Sequence, residues 1–490
     1  MTSTAFTPRR TIVHVAAECF PHARTGGLAE AVHGLASAQA ASGESVHVLL
    51  PLHRSVRTAL GLAPAAAPFE VDVGPRREWA RLWRVGEGTT PSIWAVENEG
   101  YFGRDGIYGD TRGDYPDNPR RFAYFCRAAL TAIDAQHEGP VVLHLHDWHT
   151  ALAALYLRTR PEHAALSART RVVITVHNPG YQGHFAAEVL PDVGIGWDQF
   201  DWERLEWYGK ANFLKAGLVY ADRVFTVSPS QAAELLTAGG GFGLHEVFQA
   251  LGPRFGGIIN GIDQRVWDPA RDPQIAARYH ADDPSGKAVC KREAQQQFGL
   301  PLREDVPLFG FAGRLVQQKG LSLVLEARQV LQQDAQFVFL GNGERRFAEG
   351  IAEMARHLPD RISLHYGFRD DLEHTLIAGA DALLMPSQYE PCGLTQMRAQ
   401  RYGTLPLVRR VGGLADTVSD GETGFAFDAF SSAAYTTAAG RVLACWRHPH
   451  AWRGMMQTAM ARDFSWRGPM DQYFAAYADA EADATAGSTP

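Results

Sequence analysis

The chain has 490 residues, 46% of them hydrophobic and 21% charged, which is the balance of a soluble globular protein with room for domains of about 100–250 residues each. Its 47 Lys and Arg against 54 Asp and Glu give a net charge of −7, which disfavours nucleic acid as a partner because phosphate backbones are also negative. The five cysteines include no C-x-x-C pair and no run resembles a secretory signal or membrane span, so the composition predicts a cytoplasmic protein without disulfides, zinc or membrane contact.

Short apolar runs alternate with helical stretches along the first half of the chain. The first run is Thr11–Ala17, and an Ala-rich helical stretch over residues 28–41 separates it from a second run at Val46–Leu50. Further runs occur at Val141–Leu145, Val172–Val176 and Arg223–Val227. Strands that alternate with helices predict a parallel sheet that is covered on both faces.

The same alternation starts again after Gly256. The new apolar runs are Leu308–Ala312, Phe337–Leu340, Ile362–His365, Ala382–Met385 and Leu405–Val408. Two such halves predict an α/β protein with two doubly wound domains that face a central cleft. We place the domains at residues 1–252 and 253–462, and we expect the Ala- and Asp-rich residues 481–490 to be disordered.

A basic loop over residues 313–320 follows the run that ends at Ala312. Ligands of doubly wound folds bind at the carboxyl ends of the strands, where this loop lies. Arg314 offers a planar fork and Lys319 a point charge, and both suit adjacent phosphates. A solvated surface loop is the alternative.

The sequence EPCGLTQ has the composition of an anion site at the start of a helix. Pro391 fixes the backbone of a first turn, and Gly393 lets a ligand approach the main chain closely. The amides of Gly393, Leu394 and Thr395 are then expected to point at an anion. Glu390 stands beside them, where it would accept sugar hydroxyls or oppose a developing cation. An ordinary capped helix with a surface glutamate is the alternative.

Polar and aromatic residues end two neighbouring strands of the first half. One segment runs from His144 through Asp147 to His149, and the other runs from His177 to Gly183. Flat rings for sugar faces and short polar groups for hydroxyls indicate a carbohydrate pocket. The three histidines near Asp147 could instead ligate a metal, although neighbouring residues of one strand point to opposite faces.

Several motifs of other enzyme classes are missing. No two aspartates lie two positions apart, so the sequence has no D-x-D metal clamp. The Gly341–Gly343 segment lacks the third glycine of a dinucleotide fingerprint, and neither a phosphate-binding P-loop nor a G-x-S-x-G elbow is present.

Together these segments resemble the bacterial glycogen/starch synthase family, retaining glycosyltransferases of the GT-B fold. The resemblance extends along nearly the whole chain and includes Ala17-Glu18, Arg24–Leu28, Tyr108–Asp110, Asp117-Asn118, Arg121-Phe122, His146–His149, His177–Gly183, Ser228-Pro229, Asn260–Asp263, Arg314 with Lys319, and Glu390–Asp420. The last stretch, EPCGLTQ followed by YGTLPLVRRVGGLADTVSDGETG, is highly specific.

The resemblance implies two Rossmann-like domains, with a C-terminal helix over about residues 463–480 that returns to the first domain. It implies a metal-independent hexosyltransferase that needs no cofactor and transfers glucose from ADP-glucose to the non-reducing end of an α-1,4-glucan with retention of configuration. The second domain would bind the nucleotide sugar, and the first would bind the glucan.

The resemblance also assigns roles to site residues. The catalytic set would be Glu390, His177, Asp147, Arg314 and Lys319. The donor-binding set would be Arg24, Gly27, Tyr108, Asn178, Asn260, Arg314, Lys319, Phe368, Cys392, Gly393, Leu394 and Thr395. Arg314 and Lys319 would hold the diphosphate, and Phe368 would lie against the adenine. The carbonyl and ring of His177 would stand beside the anomeric carbon.

The first glycine-rich loop departs from the family pattern at two positions. The family reads Lys-Thr-Gly-Gly-Leu, whereas this chain has Arg24 in place of the lysine and Glu30 in place of the usual aspartate. Arginine keeps the charge but not the geometry of lysine.

Other functions compete with glycogen synthesis. A GT-B transferase could use UDP-glucose or another acceptor, and a catalytically weak homologue could only bind glucan. The diphosphate clamp argues against the second, because binding alone would not need it. A pyridoxal-dependent phosphorylase shares the fold, but its Schiff-base lysine segment is not recognisable here.

Overall fold

A computed structural model describes residues 10–59, 61–86, 88 and 90–486, and its contacts divide the chain into two compact units. The first unit contains the described residues up to Val227, then Ala232–Gly261, and the residues from Trp466 onward. The second contains Ser228–Gln231 and Ile262–Ser465. The division falls after Gly261, beyond the predicted position at residue 252, because the strand at residues 255–257 pairs within the first unit's sheet.

The first unit is built around a ten-stranded mixed sheet. The strands of this unit are β1 (Thr11–Val15), β2 (Ser45–Pro51), β3 (Leu62–Pro64), β4 (Phe69–Val73), β5 (Arg76–Val85), β6 (Ser92–Glu97), β7 (Gly109–Asp110), β8 (Gly113–Asp114), β9 (Val141–His146), β10 (Thr170–Val176), β11 (His184–Ala186), β12 (Glu206–Trp207), β13 (Lys210–Asn212), β14 (Arg223–Thr226) and β15 (Phe255–Gly257). The sheet order is β15-β14-β10-β9-β1-β2-β6-β5-β3, with β4 paired to β5. All pairs from β15 to β6 are parallel, and the pairs that involve β5 are antiparallel.

Helices cover both faces of this sheet. They are α1 (Gly27–Ala41), α2 (Arg54–Ala59), α3 (Glu99–Phe102), α4 (Asn118–Gln136), α5 (Trp148–Thr159), α6 (Ala164–Ala168), α7 (Phe213–Tyr220), α8 (Pro229–Leu235), whose first residues count with the second unit, α9 (His245–Ala250) and the C-terminal α19 (Arg467–Ala486). Val13 and Val15 of β1 pack in one core with α4, α5 and α7, whereas Ile12 packs in another with α1 and α19. Successive residues of a strand point to opposite faces, so the predicted sheet with two covered faces is confirmed.

The second unit holds a six-stranded parallel sheet of order β18-β17-β16-β19-β20-β21. Its strands are β16 (Leu308–Ala312), β17 (Gln336–Gly341), β18 (Ile362–Tyr366), β19 (Ala382–Met385), β20 (Leu405–Arg409) and β21 (Phe425–Phe427). Its helices are α10 (Gly286–Gln297), α11 (Leu321–Glu326), α12 (Arg328–Leu331), α13 (Arg345–His357), α14 (Asp370–Gly379), α15 (Thr395–Arg401), α16 (Gly412–Thr417), α17 (Ser432–Trp446) and α18 (Pro449–Met460).

The apolar runs predicted as strands are all present as β1, β2, β9, β10, β14 and β16–β20. The antiparallel β3–β5 region was not predicted, because charged residues interrupt its apolar positions. The C-terminal helix extends to Ala486, past residue 480, where the sequence predicts a disordered tail; residues 487–490 lie outside the described residues. Within the described ranges, none of the helices combines the length and apolar character needed to cross a membrane.

The packing of α1 against the start of α19 gives a stability test. A Cβ added at Gly34, in the middle of α1, would lie 2.1 Å from Nε1 of Trp466, whose indole is buried. We expect Gly34→Ala to lower the free energy of unfolding by about 1–3 kcal/mol through overpacking, seen as a lower Tm in calorimetry. Gly440→Ala is the matched control, because Gly440 lies in α17 with nothing within 4 Å of the added Cβ. It should be neutral or stabilising, by up to about 1 kcal/mol. Equal effects of the two substitutions would contradict this packing.

Candidate functional site

Polar residues collect where the strand order of each sheet reverses. In the first sheet, β1 lies between β2 and β9, and the chain runs outward on both sides of that point. In the second sheet, β16 lies in the same way between β17 and β19. Doubly wound sheets bind ligands at the carboxyl ends of strands at such reversals. In the first sheet, Glu18 follows β1 and Asp147 follows β9. In the second sheet, Lys319 follows β16 and Glu390 follows β19.

Glu18 is a buried carboxylate just beyond β1. It accepts hydrogen bonds from the backbone N–H groups of Thr25 (2.6 Å) and Gly26 (3.3 Å) and from the Thr25 hydroxyl (2.7 Å). The phenol of Tyr108 donates at 2.5 Å to Oε1, the oxygen that also accepts from the Thr25 hydroxyl, and burial beside this carboxylate raises the pKa of Tyr108. Glu18 therefore fixes both the loop before α1, where Gly27 is the first helical residue, and the ring of Tyr108.

Asp147 joins the two strand-end segments that the sequence predicted to form one pocket. Its backbone has a left-handed φ of 58°, and its N–H donates to the carbonyl of Thr175 in β10. Its Oδ1 accepts hydrogen bonds from the N–H groups of His177 (2.7 Å) and Asn178 (3.3 Å). Burial raises the pKa of Asp147 to about 7, although the two amide donors oppose the shift.

The ring of His177 is the outer end of a row of hydrogen-bonded side chains. Its Nε2 lies 2.9 Å from Nδ1 of His146, and Nε2 of His146 lies 3.0 Å from Nδ1 of His14. Nε2 of His14 lies 2.8 Å from Oε1 of Gln39. Burial lowers the pKa of His177 to about 3, that of His14 to about 4, and that of His146 well below its usual value, so all three rings are neutral near pH 7.

The sequence left open a metal site among the histidines near Asp147. Within the described residues, the ring nitrogens of His14, His144 and His146 lie within 4.8 Å of one another, so these three could hold a metal ion. His14 and His146 use their nitrogens in the row described above. His144 lies 2.7 Å from the hydroxyl of Tyr477 and 2.8 Å from that of Thr175. A metal ion would have to displace these bonds, so hydrogen bonding already accounts for the cluster.

Lys319 and Glu390 form an ion pair in the second unit. Nζ of Lys319 lies 2.5 Å from Oε2 of Glu390, which also accepts a hydrogen bond from the Ser387 hydroxyl at 3.0 Å. The two side chains are 21% and 8% exposed, so the carboxylate depends on this partner more than on water. Gly320 (φ 72°) permits the approach, because a Cβ there would lie 1.9 Å from the carbonyl oxygen of Pro386.

The segment after Glu390 turns into the short helix α15. Gly393 has a left-handed φ of 72°, which favours glycine. Among the described residues, no hydrogen-bond acceptor is found for the backbone N–H groups of Gly393, Leu394 and Thr395. These amides therefore have no partner among the described residues, and their binding of an anion stays a prediction. Cys392 beside them is buried.

The remaining predicted residues divide between the units. Asn178 and Asn260 follow β10 and β15 in the first unit, and Asn260 is buried. Arg314 is exposed and lies in the same loop as Lys319, and Phe368 is half-exposed just beyond β18. The first unit thus holds Arg24, Gly27, Tyr108, Asp147, His177, Asn178 and Asn260, and the second holds Arg314, Lys319, Phe368, Glu390, Cys392, Gly393, Leu394 and Thr395.

The two departures from the family loop contact each other. Nη2 of Arg24 lies 3.1 Å from Oε1 of Glu30, in the first turn of α1. The longer base is therefore paired with the longer acid in this chain.

The sequence prediction did not include Glu18, Gln39 or His14 among the site residues. His14 and Glu18 are isolated polar residues in apolar stretches, and this is the signal that could have identified them. Gln39 lies in a helix that also carries Glu30 and His33, so its sequence context does not single it out. They have partners far away in the sequence: Tyr108 between α3 and α4 for Glu18, His146 of β9 for His14, and Tyr477 of α19 for Gln39.

Comparison with known proteins gives consistent matches over both units. Residues 11–250 match the family described as starch synthase catalytic domain, and residues 292–455 match glycosyl transferases group 1. The glycogen synthase of Anaeromyxobacter dehalogenans (strain 2CP-C) is 43% identical over 474 residues, which cover 95% of this chain and 98% of the relative. Glycogen synthase 2 of Geobacter sulfurreducens is 40% identical with the same coverage.

A solved structure matches as well. The catalytic domain of starch synthase IV from Arabidopsis thaliana, bound to ADP and acarbose, has a TM-score of 0.89 and 31% identity, and the match covers 96% of this chain and 99% of that one. The predicted fold class, GT-B with two Rossmann-like domains, is confirmed by this match.

The raised pKa of Asp147 predicts how stability changes with pH. Between the ordinary aspartate pKa of about 4 and about 7, the folded chain retains a proton that the unfolded chain releases, so Asp147 lowers stability as pH rises through that window. Asparagine keeps the acceptor oxygen and tolerates a positive φ. We therefore expect the Tm of Asp147→Asn minus that of the wild type to increase between pH 4.5 and pH 8. Asp282→Asn, at an exposed position, controls for the change in net charge. A difference for Asp147→Asn that does not change with pH would contradict the shift.

Proposed function

The chain belongs to the glycogen and starch synthase family, and from this we propose that its donor is ADP-glucose and that it extends the non-reducing end of an α-1,4-glucan with retention of configuration. It is a glucosyltransferase, and a nucleotide-sugar donor and a glucan acceptor follow from its family. ADP as the nucleotide is supported by the related starch synthase IV, which is bound to ADP. The observation that carries the proposal is the Lys319–Glu390 pair beside three open amides.

The second unit would hold the donor through its diphosphate. Lys319 and Arg314 supply the positive charge, and the amides of residues 393–395 supply fixed dipoles for the phosphate oxygens. Glu390 would then face the sugar, where a carboxylate accepts hydroxyl protons and stabilises a developing positive charge. Phe368 offers a ring for the adenine, and Cys392 forms part of the buried wall behind the diphosphate. We expect no metal ion to be required, because Lys319, Arg314 and the three amides together stabilise the charge of the leaving group.

The first unit would contribute the groups that surround the transferred glucose. Asp147, Asn178 and Asn260 offer oxygens and amides, and Tyr108 offers a phenol that Glu18 holds in place. His177 would stand beside the anomeric carbon. Because burial keeps its ring neutral, it can approach a carbon that becomes positive without electrostatic repulsion.

Arg24 and Gly27 would complete the donor site from the loop before α1. The charge of Arg24 would oppose the diphosphate, and Gly27 would let the main chain approach it. The pairing of Arg24 with Glu30 holds the guanidinium of this longer side chain near the start of α1.

This set of groups suits a reaction that retains the configuration of the anomeric carbon without a nucleophile from the enzyme. The bond between the anomeric carbon and the phosphate oxygen breaks, and its electron pair stays on the diphosphate. The acceptor hydroxyl then attacks the same face of the sugar, and its proton passes to the departing phosphate. The protein acts by electrostatic stabilisation. Glycosidases differ in using a pair of carboxylates as acid and nucleophile.

Two further assignments belong to the same proposal. The nucleotide sugar is assigned to residues 262–465 and the glucan to the first unit. We also propose a cytoplasmic location, with which the five free cysteines are consistent.

The donor and acceptor are tested by initial rates with ADP-glucose and UDP-glucose, each with and without glycogen. We expect transfer only when glycogen is present, at a rate with ADP-glucose that is at least about tenfold higher than with UDP-glucose. EDTA should change neither rate. A preference for UDP-glucose, or transfer without glycogen, would contradict the assigned substrates. Glycogen binding without turnover would support the catalytically weak homologue.

The diphosphate clamp is tested by truncating its two cations. Lys319→Ala and Arg314→Ala should each reduce kcat/KM for ADP-glucose by an amount equivalent to about 2–5 kcal/mol, because each leaves a phosphate charge without its partner. Arg345→Ala is the control, since Arg345 is an exposed arginine of α13 in the same unit. Near-wild-type kcat/KM in both clamp variants would overturn the clamp.

A further inference from the structure

The row of side chains behind His177 connects four separate elements. Gln39 lies on α1, His14 on β1, His146 at the end of β9, and His177 just after β10. The three inner residues are at most 1% exposed, whereas His177 is partly exposed. The row therefore runs from the buried interior of the first unit to the residue proposed to lie beside the anomeric carbon.

The amide of Gln39, at the inner end of the row, determines which nitrogen of each histidine donates and which accepts a hydrogen bond. Its Nε2 donates a hydrogen bond to the hydroxyl of Tyr477 on α19 at 3.0 Å, which leaves its Oε1 facing His14. The Tyr477 hydroxyl lies 2.7 Å from Nδ1 of His144, so it can donate there in turn. An amide oxygen can only accept, and His14 must therefore carry its proton on Nε2.

The protonation of each ring then follows from the one before it. Nδ1 of His14 has no proton and accepts from Nε2–H of His146. Nδ1 of His146 likewise accepts from Nε2–H of His177. Nδ1 of His177 is consequently left without a proton. Placing a second proton on His14 or His146 would set two donors against each other, which agrees with the neutral state of these two histidines.

We propose that Gln39, acting through His14 and His146, is a positioning residue that fixes His177 in the Nε2–H tautomer and presents an unprotonated Nδ1 to a sugar hydroxyl of the substrate. The role of His177 toward substrate rests on the proposed function. An isolated histidine exchanges its two neutral tautomers freely, whereas this row changes only if all its members reverse together and the Gln39 amide turns over.

The tautomers can be read directly by long-range ¹H–¹⁵N NMR of enzyme labelled with ¹⁵N-histidine. In the unaltered enzyme, we expect His14, His146 and His177 all to carry the proton on Nε2. In Gln39→Leu, His14 loses its acceptor, and the His177 nitrogens should shift toward values averaged between the two tautomers. We expect kcat to fall by about tenfold or more, while the Kd for ADP stays within about twofold of the wild-type value.

Gln295→Leu is the matched control for the loss of a buried glutamine. Gln295 is fully buried in the second unit, where its amide donates to the side chain of Gln336 (2.7 Å) and the carbonyl of Arg303 (2.9 Å). This variant should lower the Tm as Gln39→Leu does, yet leave the tautomer of His177 and kcat unchanged.

The outcomes separate this proposal from the proposed function. Protons on Nδ1 in the unaltered enzyme would overturn the direction of the row even if Gln39→Leu did not fold. An unchanged His177 tautomer in Gln39→Leu would overturn the role of Gln39. A shifted tautomer with unchanged kcat would show that the row exists but does not position His177 for catalysis. If the enzyme transferred no glucose at all, the NMR measurement would still test the row, and only the proposed function would fail.

Discussion

Parallel strands bring all their carboxyl ends to the same edge of a sheet, and the polar loops of this chain depend on that constraint. Asp147 follows β9, next to β1, and Glu390 follows β19, next to β16. In both sheets these are the points where the strand order reverses, so neighbouring loops turn away from each other and leave room for a ligand. Antiparallel strands would have placed half of these residues at the opposite edge.

Burial at these edges requires each carboxylate to have its own partners. Glu18 receives two amides and a hydroxyl from the loop before α1, together with the phenol of Tyr108. Asp147 receives two amides, and Glu390 receives Lys319. Four of the six donors to Glu18 and Asp147 are main-chain N–H groups. The Lys319–Glu390 pair joins two side chains, so in the proposed donor complex a diphosphate would take over the ammonium without unfolding a loop.

Local patterns predicted much of this arrangement. The apolar runs identified the parallel strands, and the segments around Lys319 and Gly393 supplied the predicted donor-binding residues of the second unit. Glu18, Gln39 and His14 could not be found in this way, because their functions arise from contacts with Tyr108, Tyr477 and His146, far away in the sequence. A polar residue within an apolar stretch indicates burial with a partner, but only the strand order shows which partner it meets.

We propose above all that the edge of the second sheet, at β16 and β19, receives the diphosphate of the donor. A crystal structure of the enzyme with ADP tests this most directly. We expect phosphate oxygens within hydrogen-bond distance of Nζ of Lys319 and of the amides of Gly393, Leu394 and Thr395, with the Lys319–Glu390 contact lengthened from its present 2.5 Å. A diphosphate bound elsewhere, with that ion pair unchanged, would contradict the claim.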